Sequence, residues 1–142
     1  MAFIVKSNIV KEEIQDQLGR VIGLAIYNPT DAGILIRARE NKTKLQEVKD
    51  KLENYTTEDI NSLNVIDIIA EGEAAIREYC NNVFAPDFYE SAFSSMSPFT
   101  IMENGKFFAV EVIEKVLEDI KLKNEDYRAK QKKYLSGYIK ED

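Results

Sequence analysis

The sequence predicts a mainly α fold: a small helical domain with a short extended or β segment near the N-terminus. Three observations lead there. Apolar residues recur every three to four positions through the central and C-terminal parts of the chain. Capping residues and turn dipeptides punctuate that pattern at Asn28-Pro29-Thr30-Asp31, Thr56-Thr57, Ala85-Pro86-Asp87 and Asn104-Gly105. One β-branched run without charge after its first residue, Arg20-Val21-Ile22-Gly23-Leu24-Ala25-Ile26-Tyr27, reads as a strand.

Taken in order, residues 1–20 form an N-terminal arm. Phe3-Ile4-Val5 and Ile9-Val10 are short apolar pieces, and Ile14 and Leu18 sit four apart with Gly19 after them. That spacing predicts a short strand or arm followed by one or two turns of helix stopped at Gly19. The strand of residues 20–27 follows, with Gly23 marking an edge or a bulge. Thr30 or Asp31 then caps a charged helix reaching about Asn54, with Leu35, Ala38, Leu45, Val48 and Leu52 on its apolar stripe.

A second long helix is expected over 56–84. Ile60, Leu63, Ile66, Ile69, Ala70, Ile76, Tyr79, Cys80 and Val83 make it the most apolar stripe in the chain and the centre of the core. Gly72 within it suggests a close contact or a kink. Residues 93–98 read as a loop, and Asn104-Gly105 as a turn. The last helix begins near Lys106, buries Phe107, Val110, Ile113, Val116, Leu117 and Ile120, and runs to Tyr134, with Ser136-Gly137 ending it. Residues 121–142 form a projecting basic C-terminal helix and tail, and the chain of 142 residues makes a single domain.

Composition excludes several chemistries. There is no His and one cysteine, Cys80. No Ser-His or Cys-His pair, no imidazole acid/base and no His-bearing zinc site can therefore form. Cys80 lies on the apolar face and reads as a buried, inert thiol. The glycines are scattered and build no phosphate loop. Glu111, Glu114 and Glu118, at helical spacing, are a carboxylate row of the kind that can bind a divalent cation. A solvated helix face is much the commoner use of such a row. Glu71, Glu73 and Glu78 are read the same way. The expectation is no enzyme, no metal and no cofactor.

A net charge of −6 disfavours sequence-independent nucleic-acid binding. The N-terminus has no signal-peptide pattern and no apolar run is long enough to span a bilayer, so a cytoplasmic protein without membrane contact is expected. One stretch stands out as an interaction segment. Within residues 121–134, Lys121, Lys123, Arg128, Lys130, Lys132 and Lys133 outnumber Glu125 and Asp126, and Tyr127 and Tyr134 are interleaved. This helix end can match its own macrodipole. It can also grip an acidic protein or a single-stranded nucleic acid. Phe88, Tyr89, Phe93, Met96 and Phe99 cluster around the Pro-bounded loop, where they serve either as a contact surface or as core cover. The candidate partner-binding residues are thus Tyr127, Arg128, Lys130, Lys133, Tyr134, Phe88, Tyr89 and Phe99.

The order of elements resembles the tail assembly chaperones of phages and prophages of Gram-positive bacteria. Four pieces carry the resemblance over residues 24–135. They are Ile26-Tyr27-Asn28-Pro29-Thr30-Asp31, the charged helix 32–54, Tyr79-Cys80-Asn81-Asn82-Val83-Phe84, and Ser97-Pro98-Phe99-Thr100 with Asn104-Gly105 and Phe107-Phe108 ahead of an apolar helix and basic tail. The resemblance implies a non-catalytic protein that binds the tape-measure protein, helps recruit tail-tube subunits and is absent from the mature virion. Self-association is expected separately, because the basic C-terminal segment opposes the acidic body and favours head-to-tail contact. The alternatives are a structural tail completion or joining protein, or a small regulatory nucleic-acid-binding protein.

Overall fold

The computed structural model describes residues 1–55 and 63–139, and the side chains of residues 1–50 and 66–137. The fold is mainly helical with a two-stranded antiparallel sheet near the N-terminus. Its elements are β1 (Val10–Gln15), β2 (Val21–Tyr27), α1 (Gly33–Tyr55), α2 (Leu63–Val83), α3 (Phe88–Ala92) and α4 (Phe108–Ile139).

The helix expected before Gly19 is instead half of a hairpin. Val10 pairs with Tyr27 and Ile14 with Gly23, and the register shifts between Ile14 and Gln15. The turn explains the difference. Asp16 accepts hydrogen bonds from the backbone N–H groups of Leu18 (2.9 Å) and Arg20 (3.0 Å), and Gly19 takes a φ of +78°. An Asp folded back on its own chain, followed by a glycine in the left-handed region, closes a hairpin rather than ending a helix. Val10 and Ile14 then share one face at strand period.

Asp31 caps α1. Its side chain accepts from the Gly33 N–H at 2.9 Å, and its carbonyl from the Ile34 N–H at 3.1 Å. The expected stripe holds at Ala38, Leu45 and Val48 and differs only in the first turn, where Ile34 replaces Leu35. Ile34 is fully buried and Ala38 and Leu45 pack on the core, whereas Leu35 is 60% exposed. Arg37 fastens this helix to the next. It donates to Asp31 at 2.8 Å and to the carbonyl of Val83 at 3.2 Å, occupying a C-terminal carbonyl that α2 leaves without a helical partner.

In α2 the expected stripe holds only toward the C-terminal end. Ile76, Tyr79, Cys80 and Val83 are buried, Ile69 is half-buried, and Ile66 is 65% exposed. The part of α2 that is central to the core therefore lies nearer the Pro86 break than the sequence pattern implies. The proposed start at Thr56, together with Ile60, lies outside the described residues, as do the side chains of Leu52 and Leu63. At Gly72 the sequence suggests a close helix contact or a kink; the nearest neighbour is instead the ring of Phe99 from the loop, with Val48 of α1 farther off.

After Pro86, Asp87 adopts φ +62° and turns the chain into α3, which packs on β2. Gly105, with φ +85°, closes a minimal hairpin in which Ile101 bridges Phe107. Helix α4 buries Phe108, Ala109, Val112, Ile113, Val116 and Ile120. Ile113, Val116 and Ile120 are buried as expected, whereas at the start of the helix Phe108, Ala109 and Val112 take the buried places and Phe107 and Val110 are half-buried. Ser136-Gly137 does not end α4, which continues through Ile139. A helical glycine costs only about 1 kcal/mol, and no proline follows to stop the chain.

Among the described residues, six of the seventeen that form the buried core are aromatic. Phe84 and Phe88 lie 4.9 Å apart between centroids, Phe93 and Phe108 5.3 Å, and Tyr27 meets Phe88 edge-on at 6.4 Å. These rings, with Tyr79 of α2, belong to one hydrophobic cluster that β2, α2, α3 and α4 share. The Tyr27 hydroxyl donates to the carboxylate of Asp119, tying β2 to α4 across the chain. Burial first, and then that carboxylate, push the phenol's pKa well above its usual value.

Candidate interaction surfaces

The structure separates the predicted contact residues into two groups. Phe88 is 1% exposed and belongs to the core, so its ring cannot meet a partner without unfolding α3. Tyr89 and Phe99 are half-buried. Tyr89 lies tilted against the buried Phe93 at 5.3 Å, and Phe99 lies edge-on to Phe107 at 5.6 Å. The Pro-bounded loop therefore uses its aromatic residues as cover for the core. The two roles cannot be separated in the sequence, because a ring on a short loop has no periodicity to show which side it faces.

The C-terminal group is exposed. Every residue from Arg128 to Gly137 is solvent-exposed, and Tyr127 is half-buried. From Tyr127 to Ile139 the helix extends about 18 Å at 1.5 Å per residue. Tyr127, Lys130, Lys133 and Tyr134 fall on one face by their spacing of three, six and seven, while Arg128 falls on the other side. The Lys130 ammonium sits 4.7 Å above the Tyr127 ring, a cation–π pair that holds both side chains along that face. At its base the same face meets the body. Lys123 pairs with Asp119 at 3.2 Å and approaches Glu12 at 3.6 Å, and Asn124 donates to the carbonyl of Pro29 at 2.8 Å. The segment that stands clear of the core thus begins after Tyr127, not after Leu122.

The acidic rows are engaged with neighbouring groups. Glu111 accepts from the Asn104 amide and Glu114 from Lys106 at 3.0 Å. Glu73 accepts from the Ser97 hydroxyl at 2.7 Å, and Glu78 pairs with Lys44. Among the described residues no group of three or more His, Cys, Asp or Glu side chains is disposed to hold a metal ion. Burial pushes the Cys80 thiol up to about 12, with the Glu90 charge adding to it. Arg77, the one cation near Cys80 in sequence, is paired with Glu90 at 2.6 Å.

A groove that sequence reasoning missed runs between β1, β2, the 96–104 loop and α4, with a volume of about 1020 Å³. Its floor is apolar, built from Ile14, Met96, Met102, Phe108, Val112 and Val116. Its rim carries Glu12, Glu13, Asp16, Glu103 and Asp119 against the single cation Lys115. No sequence window could reveal it, because its walls come from β1, β2, the 96–104 loop and α4, separated by up to about a hundred residues. A smaller depression, about 350 Å³, joins Asn8, Val10 and Pro29 to Lys123, Tyr127 and Lys130.

No helix among the described residues is long and apolar enough to cross a membrane. No protein-family model, curated protein or solved structure matches the chain.

Proposed function

We propose that the protein is a phage or prophage tail assembly chaperone that holds the tape-measure protein through its projecting C-terminal helix and takes no part in catalysis. The observation that carries this reading is the outer part of α4. The helix runs on beyond its buried face, every residue from Arg128 to Gly137 is exposed, and its charge is opposite to that of the body. Folding of the core does not call for that extension. A rigid helix bearing Tyr127, Lys130, Lys133 and Tyr134 on one side is suited to lie against another long helix. The tyrosines cover apolar positions at low entropic cost, and the lysines meet acidic ones. Binding of this kind keeps an elongated client soluble and releases it without chemistry.

The test is co-expression with a phage tape-measure protein. The paired reversal Lys130→Glu/Lys133→Glu should abolish co-purification while leaving the melting temperature unchanged, and truncation after Tyr127 should do the same. A complex that survives both changes would place the client elsewhere. Recovery of the chain in purified particles would favour a structural tail component, and steeply salt-dependent retention on single-stranded nucleic acid would favour a nucleic-acid binder.

A further inference from the structure

Two features of this molecule remain without a counterpart. One is the groove. The other is the arm ahead of β1. Residues 1–9 adopt neither helix nor strand, and Phe3, Ile4 and Val5 are almost fully exposed, Phe3 at 100%. A run of three large apolar side chains left in water is a feature that soluble monomers seldom keep.

The lining of the groove says what shape of ligand it takes. Six consecutive residues, Glu12 to Gln17, border it. Residues from both faces of β1 border it, and so do Ile22, Ala25 and Tyr27 of β2, so the groove lies against one face of the sheet and opens at the β1 edge. That edge has no partner in the two-stranded sheet. An extended segment laid there can pair with the backbone of β1 while it sets alternate side chains onto the apolar floor.

We infer that the protein self-associates by arm exchange: Phe3-Ile4-Val5 of one copy adds to the β1 edge of a second copy and fills its groove. Ile4 and Val5 are β-branched and Phe3 is aromatic, residue types that suit an added strand. The arm's only charged side chain is Lys6, which matches a rim of carboxylates. Residues 1–7 can span about 23 Å when extended, enough to reach along the groove of a neighbour.

The arm does not reach its own groove. None of residues 1–9 lines it. The Asn8 amide donates to the Thr30 hydroxyl at 2.9 Å, and β1 begins at Val10. To double back along β1 the chain would have to reverse at Asn8-Ile9. The β-branched Ile9 opposes the positive φ that tight hairpin turns demand. The geometry thus leaves the second copy as occupant, and the contact is heterologous, arm to groove, so it propagates into rings or open chains.

The experiment is sedimentation of the full chain over a range of concentrations. The wild type should associate. Phe3→Asp/Ile4→Asp should weaken association by roughly tenfold or more, the factor expected from withdrawing buried large apolar side chains. Its melting temperature when dilute should stay the same. Met102→Asp, on the half-buried floor of the groove, should have the same effect. The decisive step is mixing. Each variant keeps the half that the other lacks, so together they should form a one-to-one complex that neither forms alone. Three results would overturn the inference: a wild type that is monomeric throughout, arm variants that associate as the wild type does, or an arm variant that melts earlier as a monomer, which would mean docking within one chain. Truncation after Tyr127 should leave the association intact. Failure of the proposed client contact and failure of arm exchange are therefore distinguishable.

Discussion

Gly23 is the position at which one methyl group should do most damage. It lies in β2 where α3 crosses, and a Cβ built there would stand 2.1 Å from the carbonyl oxygen of Ala92 and 2.9 Å from its carbonyl carbon. Those are backbone atoms, so no side-chain rotation relieves the overlap. Ordinary contact begins near 3.4 Å. The strand β2 and helix α3 would have to separate by about 1 Å, a gap that forfeits a quarter to a half of the dispersion energy of each atom pair across it. The packing weakened in this way surrounds Ala25, Ala92 and the Tyr27–Phe88 ring pair. Overpacking of this kind costs about 3 kcal/mol or somewhat more. For a domain of this length that is a fall of roughly 10 °C in the melting temperature. Urea unfolding followed by far-ultraviolet circular dichroism measures it. Gly72→Ala is the internal control. There the added Cβ meets the Phe99 ring at 2.8 Å, but that ring is half-buried and can swing away, and alanine improves the helix by about 1 kcal/mol. The net change at Gly72 should be small. If Gly23→Ala is no more destabilising than Gly72→Ala, then α3 does not press on β2 through Ala92.

Removing the hydroxyl in Tyr27→Phe leaves the Asp119 carboxylate without its buried donor and should cost about 2 kcal/mol, with a double-mutant cycle against Asp119→Asn reading the coupling directly. The phase of α1 is tested by a pair of truncations: Ile34→Ala should lose about 3 kcal/mol, whereas Leu35→Ala should stay within about 0.5 kcal/mol of the wild type. Acid should destabilise the fold. The Arg37 guanidinium, with the Gly33 N–H, holds the Asp31 carboxyl below its ordinary value against some burial, and the backbone N–H of Glu90, with Asn81 and Arg77, does the same for Glu90. A depressed folded-state pKa stabilises the protein above the unfolded value, so stability should begin to fall below about pH 5 and continue to fall as these groups protonate in the native state, visible as a falling urea midpoint.

The parts of the fold that were legible in the sequence are those fixed by local chemistry. Asp31 caps because its short carboxylate reaches the N–H two residues on, and Asn104-Gly105 turns because glycine alone takes φ +85° without cost. The β-branched run from Val21 to Tyr27 is a strand as its composition implies. Phase was less legible. In α1 the adjacent Ile34, Leu35 and Ile36 offer three apolar starting points, and only the packing of α2 selects Ile34. In the N-terminal region Ile14 and Leu18 suit a helix and Val10 and Ile14 suit a strand; the Asp16 side chain decides between them by folding onto Leu18 and Arg20. The basic face of Tyr127, Lys130 and Lys133 could be read from composition, because charge excess is local. The groove could not, since it exists only once β1, β2, the 96–104 loop and α4 are brought together.

The two ends of the chain share a property that sets how the protein should respond to a protease. Among the described residues, all of the buried apolar side chains lie between Val10 and Tyr127. Beyond Tyr127 the helix has no buried residue among Arg128 to Gly137, so its persistence rests on helix propensity and surface pairs, and a segment of about twelve residues is marginal on those terms alone. Trypsin should therefore cut first after Arg128, Lys130, Lys132 and Lys133. Lys123, held by Asp119 and Glu12, should resist until the domain opens globally. The core that remains should melt at the temperature of the whole chain, because the removed turns contribute nothing to the common hydrophobic cluster. Cutting after Lys6 should behave differently from cutting in the tail. If the arm lies in a neighbour's groove, raising the protein concentration protects Lys6 and leaves Arg128 as sensitive as before. Equal sensitivity of the two ends at every concentration would show an arm that stays in solvent, and early cleavage at Lys123 would show that α4 is anchored less far along its length than its contacts with Glu12, Asp119 and Pro29 require.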